Sequence, residues 1–424
     1  MRSVAGARDW VAQCPYTRGM PSVSDFEESN PNDRATTSPV PSLPMAGLTF
    51  VCSLGTGVLW NAIYFIAESE YAFDRTQTLL LAFVSGVLYT AVAAFAGPIV
   101  AQVERVAAPR TALAMVLVLQ AVLAPAVWVF PGATSLWLSA VTMTALGALQ
   151  WPIVQHFLVS GRHGASMRNT IGWWNATWMA ATAIGLAAIG PLKGAGLMEW
   201  AIPALLPINL LALVFLSKFP RHPPVHDDAA RSLHVPTTYA PLLAASRVLH
   251  PLGYLVIGAL APILPYLFGS LGTEATLQAP IGSTWHVARL VAVIVLWRTA
   301  FWHGRPHTLV AAGILLAGGF ALAVASTNEA LLMVGLASLG AGQGVIYYSA
   351  IYYGLALGGA KVEAGGTHEA LVGAGYFVGP LLGLASLSLG ANESVFIGLI
   401  LGALAVGFAA SIVRGARAKI QRIA

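Results

Sequence analysis

Arg289 is the residue of this chain that asks most of its surroundings. It stands in the apolar run GSTWHVARLVAVIVLWR, Gly282 to Arg298. It lies roughly eight to ten residues from either end of its run, which at ~1.5 Å per residue puts a guanidinium near the middle of a bilayer-length helix. Gly282, His286, Arg289 and Val293 share one face by steps of three and four. A charge at that depth costs at least ~2.5 kcal/mol unless water or a partner meets it. No Asp or Glu falls deep in another run; the nearest, Glu68, Glu70 and Glu369, read as helix ends. Two readings follow. Arg289 faces a central cavity and binds an anionic or strongly hydrogen-bonding group, or it bonds carbonyls and amides of a neighbouring helix.

Other polar and aromatic side chains fall at comparable depth. Gln150 and Gln343 carry amides that both donate and accept, suited to hydroxyls or carboxylates of a small solute or to an interhelical hydrogen bond. Gln155 and His156 lie lower in the same run as Gln150. Trp151, Trp174 and Trp178, with Asn175, and Tyr347, Tyr348 and Tyr376 form aromatic layers that suit sugar faces, conjugated molecules or plain packing; Trp60 and Asn61 extend the set. The candidate substrate-binding residues are therefore Arg289, His286, Gln150, Gln343, Asn175, Trp178, Tyr347, Tyr376 and Asn61. His156 and His286 are the titratable candidates for coupling to protons. Glu369 reads as a gate that pairs with Arg105 or Arg110 of the opposite half, with Arg168 at the matching position of the first half. A helix-start carboxylate favoured by the macrodipole is the simpler account of Glu369.

The elements that must position these groups are apolar. Hydrophobic residues make up 57% of the 424 and charged ones 9%, against about 25% charged in soluble proteins. Each membrane span needs roughly 20 apolar residues, and inside hydrocarbon such runs must be helices. Twelve are counted. Those carrying the candidate binding residues are the first (45–67), fourth (134–159), fifth (169–191), eighth (279–297), tenth (330–354) and eleventh (370–390). The net charge of +5 is spread through short loops, which argues against nucleic acid. Cys14 and Cys52 give neither a disulfide framework nor a metal signature.

Six runs precede the polar stretch Ser217–Tyr239 and six follow it. Leu54-Gly55 recurs as Leu252-Gly253, Pro109-Arg110-Thr111 as Pro306-His307-Thr308, and the segment ending in Gln150 as that ending in Gln343, at offsets of 198, 197 and 193 residues. Three anchors in one order indicate an internal duplication. The expected organisation is a disordered cytoplasmic tail (1–44), a six-helix bundle (45–217), a cytoplasmic linker (218–240), a second bundle (241–415) and a short tail (416–424). No apolar signal segment precedes Met45, and Met45 is an alternative start of translation. Basic residues gather in the even-to-odd connections, among them Arg105, Arg110, Arg162, Arg168, Lys218, Arg221, Arg298, Arg305 and Lys361, whereas the odd-to-even connections hold Arg75 and Lys193. That asymmetry places both termini and the linker in the cytoplasm.

Twelve spans in two repeats with a cytoplasmic central loop resemble the major facilitator superfamily, from residue 45 onward. Gly97–Arg105, GPIVAQVER, occupies the loop where that family carries Gly-x-x-x-Asp-Arg-x-Gly-Arg. Gly97 and Arg105 match. Ala101, Gln102 and Glu104 replace the Asp, Arg and second Gly, so the latch built on that Asp is not carried over. Gly190-Pro191 and Gly379-Pro380 look like the family's Gly-Pro helix elements. The resemblance implies two pseudo-symmetric six-helix bundles and a secondary transporter working by alternating access on a small organic solute. The solute is expected to be anionic and carboxylate-like, with a sugar or drug-like molecule, or an efflux pump, as the alternative; a sensor of the same fold without flux is the reading from another class. No Walker loop, His-Glu-x-x-His, Gly-x-Ser-x-Gly or paired mid-span carboxylates occur, so neither an enzyme nor a cofactor or metal is expected. The expected setting is a monomer in the bacterial cytoplasmic membrane, with protons as the candidate coupling ion.

Overall fold

The computed structural model describes residues 38–162, 164–224, 237–357, 362–390 and 392–420. Most of the N-terminal tail, the middle of the linker, Lys361 and residues 421–424 lie outside them. Described residues fold as helices, because in an apolar medium each backbone group must bond within its own segment.

Eleven helices among the described residues are long and apolar enough to cross a membrane. In the numbering used here they are α1 (Ser42–Tyr71), α2 (Arg75–Ala94), α3 (Pro109–Val129), α4 (Ala133–Val159), α6 (Met198–Leu216), α7 (Tyr239–Ser270), α8 (Ala275–Arg298), α9 (Pro306–Val324), α10 (Glu329–Leu357), α11 (Val362–Ser388) and α12 (Glu393–Ile420). The fifth run of the sequence forms α5 (Gly164–Ala187), 24 residues long. It stands outside the eleven because Arg168, Asn169, Thr170, Asn175, Thr177 and Thr182 dilute its hydropathy.

Burial sorts the helices into inner and outer ones. In α1 and α7, 78% of the most apolar stretch is covered, against 39% in α6 and 28% in α12. The outer helices turn large apolar side chains outward, such as Val118 and Val122 of α3, Leu210 and Val214 of α6, Ile314 of α9, and Val406 and Ile412 of α12, as lipid contact requires. α1 packs on α5 and α6, α2 on α4, and α3 on α4 and α6. α7 packs on α11 and α12, α8 on α10, and α9 on α10 and α12. The two sets meet where α2 and α4 lie on α11 and where α5 lies on α8. Close approach depends on missing side chains: a Cβ at Gly57 would lie 2.6 Å from the Thr182 carbonyl oxygen, and one at Gly379 2.2 Å from that of Leu255.

Three helices are irregular. α1 contains a π turn at Val58–Ala62, an extra residue per turn of the kind that marks functional positions, and it carries Trp60 and Asn61. α7 tightens to a 3-10 turn at Ala261–Ile263 around Pro262. α8 breaks at Ser283, three residues after Pro280, where the Ser283 and Thr284 hydroxyls donate to the Pro280 and Ile281 carbonyls, both at 2.6 Å. Proline has no N–H to give to the carbonyl four residues before it, and the hydroxyls bond back to carbonyls three residues before them, within the break. At the ends, Asp74 and Gln77 form a reciprocal capping box on α2, and Asn328 caps α10 through the Leu331 amide at 3.0 Å.

Candidate functional site

Below the break in α8, Arg289 is 1% exposed. Its Nη2 donates to the Tyr254 hydroxyl of α7 at 2.8 Å. The guanidinium lies 4.5 Å from the Trp178 ring centre and 4.7 Å from that of Tyr347, with Tyr254 at 5.5 Å. None of these partners is a carboxylate. Desolvated cation–π contacts of up to ~2 kcal/mol and a charge-assisted hydrogen bond of ~1.5–3 kcal/mol are of the size of the insertion cost, about 2.5–3.5 kcal/mol. Its Nε has no partner among the described residues. Trp178 is itself held: its Nε1 donates to Asn175 Oδ1 at 2.8 Å, and Asn175 Nδ2 donates to the Ile171 carbonyl at 2.7 Å. Asn175 thus positions the ring that stacks on the guanidinium.

These groups wall a cavity of about 60 Å³ between the two sets of helices. From α1, α2, α4 and α5 come Thr56, Trp60, Asn61, Tyr89, Trp151, Trp174, Trp178 and Thr182. From α7, α8, α10 and α11 come Tyr254, His286, Arg289, Tyr347, Glu369, Val372 and Tyr376. Trp60 stacks on Tyr376 at 4.1 Å and meets Tyr89 edge-on at 5.1 Å. His286 stacks on Trp285 at 3.6 Å, and neither of its ring nitrogens has a partner among the described residues. Asn61 Oδ1 is buried without one as well.

Glu369 corrects the sequence reading. Read as a helix end at the edge of the run 370–390, it sits seven residues inside α11, 7% exposed, in the cavity wall. Its oxygens accept from the Tyr89 hydroxyl at 2.6 Å and from the Gln155 amide at 2.5 Å. Gly365-Gly366-Thr367-His368 looks like a loop in sequence, yet it is helix whose glycines admit α4 and α2: a Cβ at Gly365 would lie 3.1 Å from Pro152 Cα, and one at Gly366 2.8 Å from the Ala93 carbonyl oxygen.

The expected gate partners stand elsewhere in this conformer. Arg110 donates to the Phe219 carbonyl at 2.8 Å, Arg105 is exposed after the short helix Ala96–Glu104, and neither pairs with Glu369. Arg168 is exposed at the start of α5. It faces the α8–α9 loop, where burial and then the Arg168 charge hold the His303 imidazole below its ordinary pKa.

Of the nine candidate binding residues, Arg289, His286, Trp178, Tyr347, Tyr376 and Asn61 share the cavity wall, and Asn175 stands one contact behind it. Gln150 does not join them: it lines a separate void of about 30 Å³ with Gly55, Gln120 and Asn209. Gln343 is buried against α7, its Cγ 3.2 Å from where a Gly253 Cβ would lie. Tyr254 and Tyr89 escaped the sequence reading. The repeat held a signal for both: Tyr254 follows Gly253 as Thr56 follows Gly55, and Tyr89 matches His286 at the repeat offset.

No family model matches the sequence, and no curated protein matches it. Solved structures do. The human organic anion transporter MFSD10 (TETRAN) superposes with a TM-score of 0.60 at 14% identity, covering 89% of this chain and 99% of that one. The nucleoside transporter NupG, as its D323A mutant, superposes at 0.64 and 12% identity, covering 88% and 99%. The chain shares the fold of these two membrane transporters. The seam where α2 and α4 meet α11 and α5 meets α8 holds the Arg289–Glu369 cavity. Among the described residues no group of three or more His, Cys, Asp or Glu is placed to hold a metal ion.

Proposed function

We propose that this chain is a secondary transporter that carries a small organic solute through the seam between two six-helix bundles, with an anionic, carboxylate-type group of the solute on Arg289. The observation that carries the reading is the arginine itself: a fully buried charge held by rings and one hydroxyl, with donors to spare, in a cavity bounded by both bundles. The similar human structure is that of an organic anion transporter, which agrees with an anion.

α5 is then the twelfth span, and the bundles are α1–α6 and α7–α12, joined through 218–240 and related by a two-fold pseudo-axis along the membrane normal. Helix pairings support this. α1–α5, α1–α6, α2–α4, α3–α4 and α3–α6 recur as α7–α11, α7–α12, α8–α10, α9–α10 and α9–α12. Positions related by the repeat, Thr56 and Tyr254, Tyr89 and His286, Trp178 and Val372, Thr182 and Tyr376, all face the cavity. The distribution of Lys and Arg sets both termini in the cytoplasm. Solute passes as the bundles rock about the cavity, with opening and closing contacts at the Arg105, Arg110 and Arg168 face.

The test is uptake by the purified protein in liposomes against a panel of labelled organic carboxylates. Arg289→Ala and Arg289→Lys are expected to lower uptake by at least about tenfold, because a lysine cannot reproduce the planar fork that meets both rings. Unchanged uptake by the folded Arg289→Ala variant removes Arg289 from the site.

A further inference from the structure

The cavity carries a second polar pole. Glu369 shares the wall with Arg289, yet the two do not neutralise each other: Arg289 is met by Tyr254, Trp178 and Tyr347, and Glu369 by Tyr89 and Gln155. Each keeps unused capacity. A guanidinium has five N–H donors and a carboxylate about four lone-pair positions. Of these, one donor reaches Tyr254, Nε has no partner, and each carboxyl oxygen accepts once. On the acceptor side Asn61 adds a buried Oδ1 without a partner, one residue from the Trp60 that meets Tyr89 edge-on.

We infer that the site is built for a dipolar solute, a small amino-acid-like zwitterion with a planar apolar body, whose carboxylate lies on Arg289 and whose ammonium lies on Glu369 and Asn61. The inference takes only the location of the site from the transport reading. A simple anion answers Arg289 and sets a like charge in the same low-dielectric space as Glu369; a simple cation does the reverse. A zwitterion brings no net charge into the membrane and gives each pole its complement, so neither charge is left buried and unpaired. The rings around it suit a flat body and offer faces to the ammonium.

The experiment measures binding of four probes to the full-length protein in detergent by quenching of the cavity tryptophans. The probes are L-phenylalanine and 4-(aminomethyl)benzoate as zwitterions, 3-phenylpropanoate as the anion lacking the amine, and 2-phenylethylammonium as the cation lacking the carboxylate. At least one zwitterion is expected to bind at least about tenfold more tightly than either singly charged analogue. Glu369→Gln should weaken that zwitterion and tighten the anion, which no longer shares the space with a like charge, so that the two bind at about the same level. In the wild type, a tighter anion, or no binding by any of the four, overturns the inference; the wild-type series decides even if the variant fails to fold. Flux in liposomes is read separately. Zwitterion binding without flux sinks the transport reading and keeps the dipolar site, and flux of the anion in preference to the zwitterions does the opposite.

Discussion

Arg289 and Glu369 differ in how they are held, and their substitutions should differ accordingly. Tyr254→Phe removes the one hydrogen bond to the guanidinium while leaving the ring in place. It is expected to weaken binding of a carboxylate-bearing solute by roughly fivefold, about 1 kcal/mol, measured by titration of the folded variant; no change would mean that Tyr254 does not orient Arg289. Asn175→Ala strips Trp178 Nε1 of its acceptor and is expected to destabilise by ~1–3 kcal/mol, read as an earlier thermal transition, with weaker binding as Trp178 loosens. The depth of Arg289 was legible because one charge in an apolar run has no local explanation. Glu369 was not legible, because two glycines, a threonine and a histidine ahead of it imitate a loop, and only tertiary contact with Pro152 and Ala93 shows them to be a helix approached at close range.

Helices of this kind are held by close approach more than by a solvent-driven core, since lipid is as apolar as leucine. Gly379→Ala would place a methyl group 2.2 Å from the Leu255 carbonyl oxygen at the α7–α11 crossing. The expected cost is ~1–3 kcal/mol, seen as a lower transition temperature in detergent. Gly402→Ala in α12 meets nothing within 4 Å, and since glycine inside a helix costs about 1 kcal/mol relative to alanine, the same measurement should show no loss. Equal effects at both positions would remove the packing argument. Most helices could be read from apolar runs and their ends from Gly, Pro and charge. The π turn of α1 could not, because Val58–Ala62 has no composition that distinguishes it from the helix around it. The fifth run counts among the apolar runs, yet the helix it forms, α5, carries enough polar residues to fall outside the eleven.

At the scale of the molecule, contacts tie the two sets of helices together on either side of the cavity. Toward one, Phe65 meets Phe268 at 6.2 Å and the Tyr266 hydroxyl donates to the Phe73 carbonyl at 2.6 Å. Toward the other, α11 lies on Pro152 and Ala93, and a Cβ at Gly172 would run into the Trp297 ring. On the proposed transport reading, each set of contacts opens in turn. Val372 lines the cavity and offers a place for a reporter thiol. The decisive measurement is labelling of Val372→Cys, with Cys14 and Cys52 replaced by alanine, by a membrane-impermeant maleimide in right-side-out and in everted vesicles. Labelling from both faces, suppressed on both by saturating solute, is the expected result. Labelling from one face alone, indifferent to solute, would contradict passage through the seam.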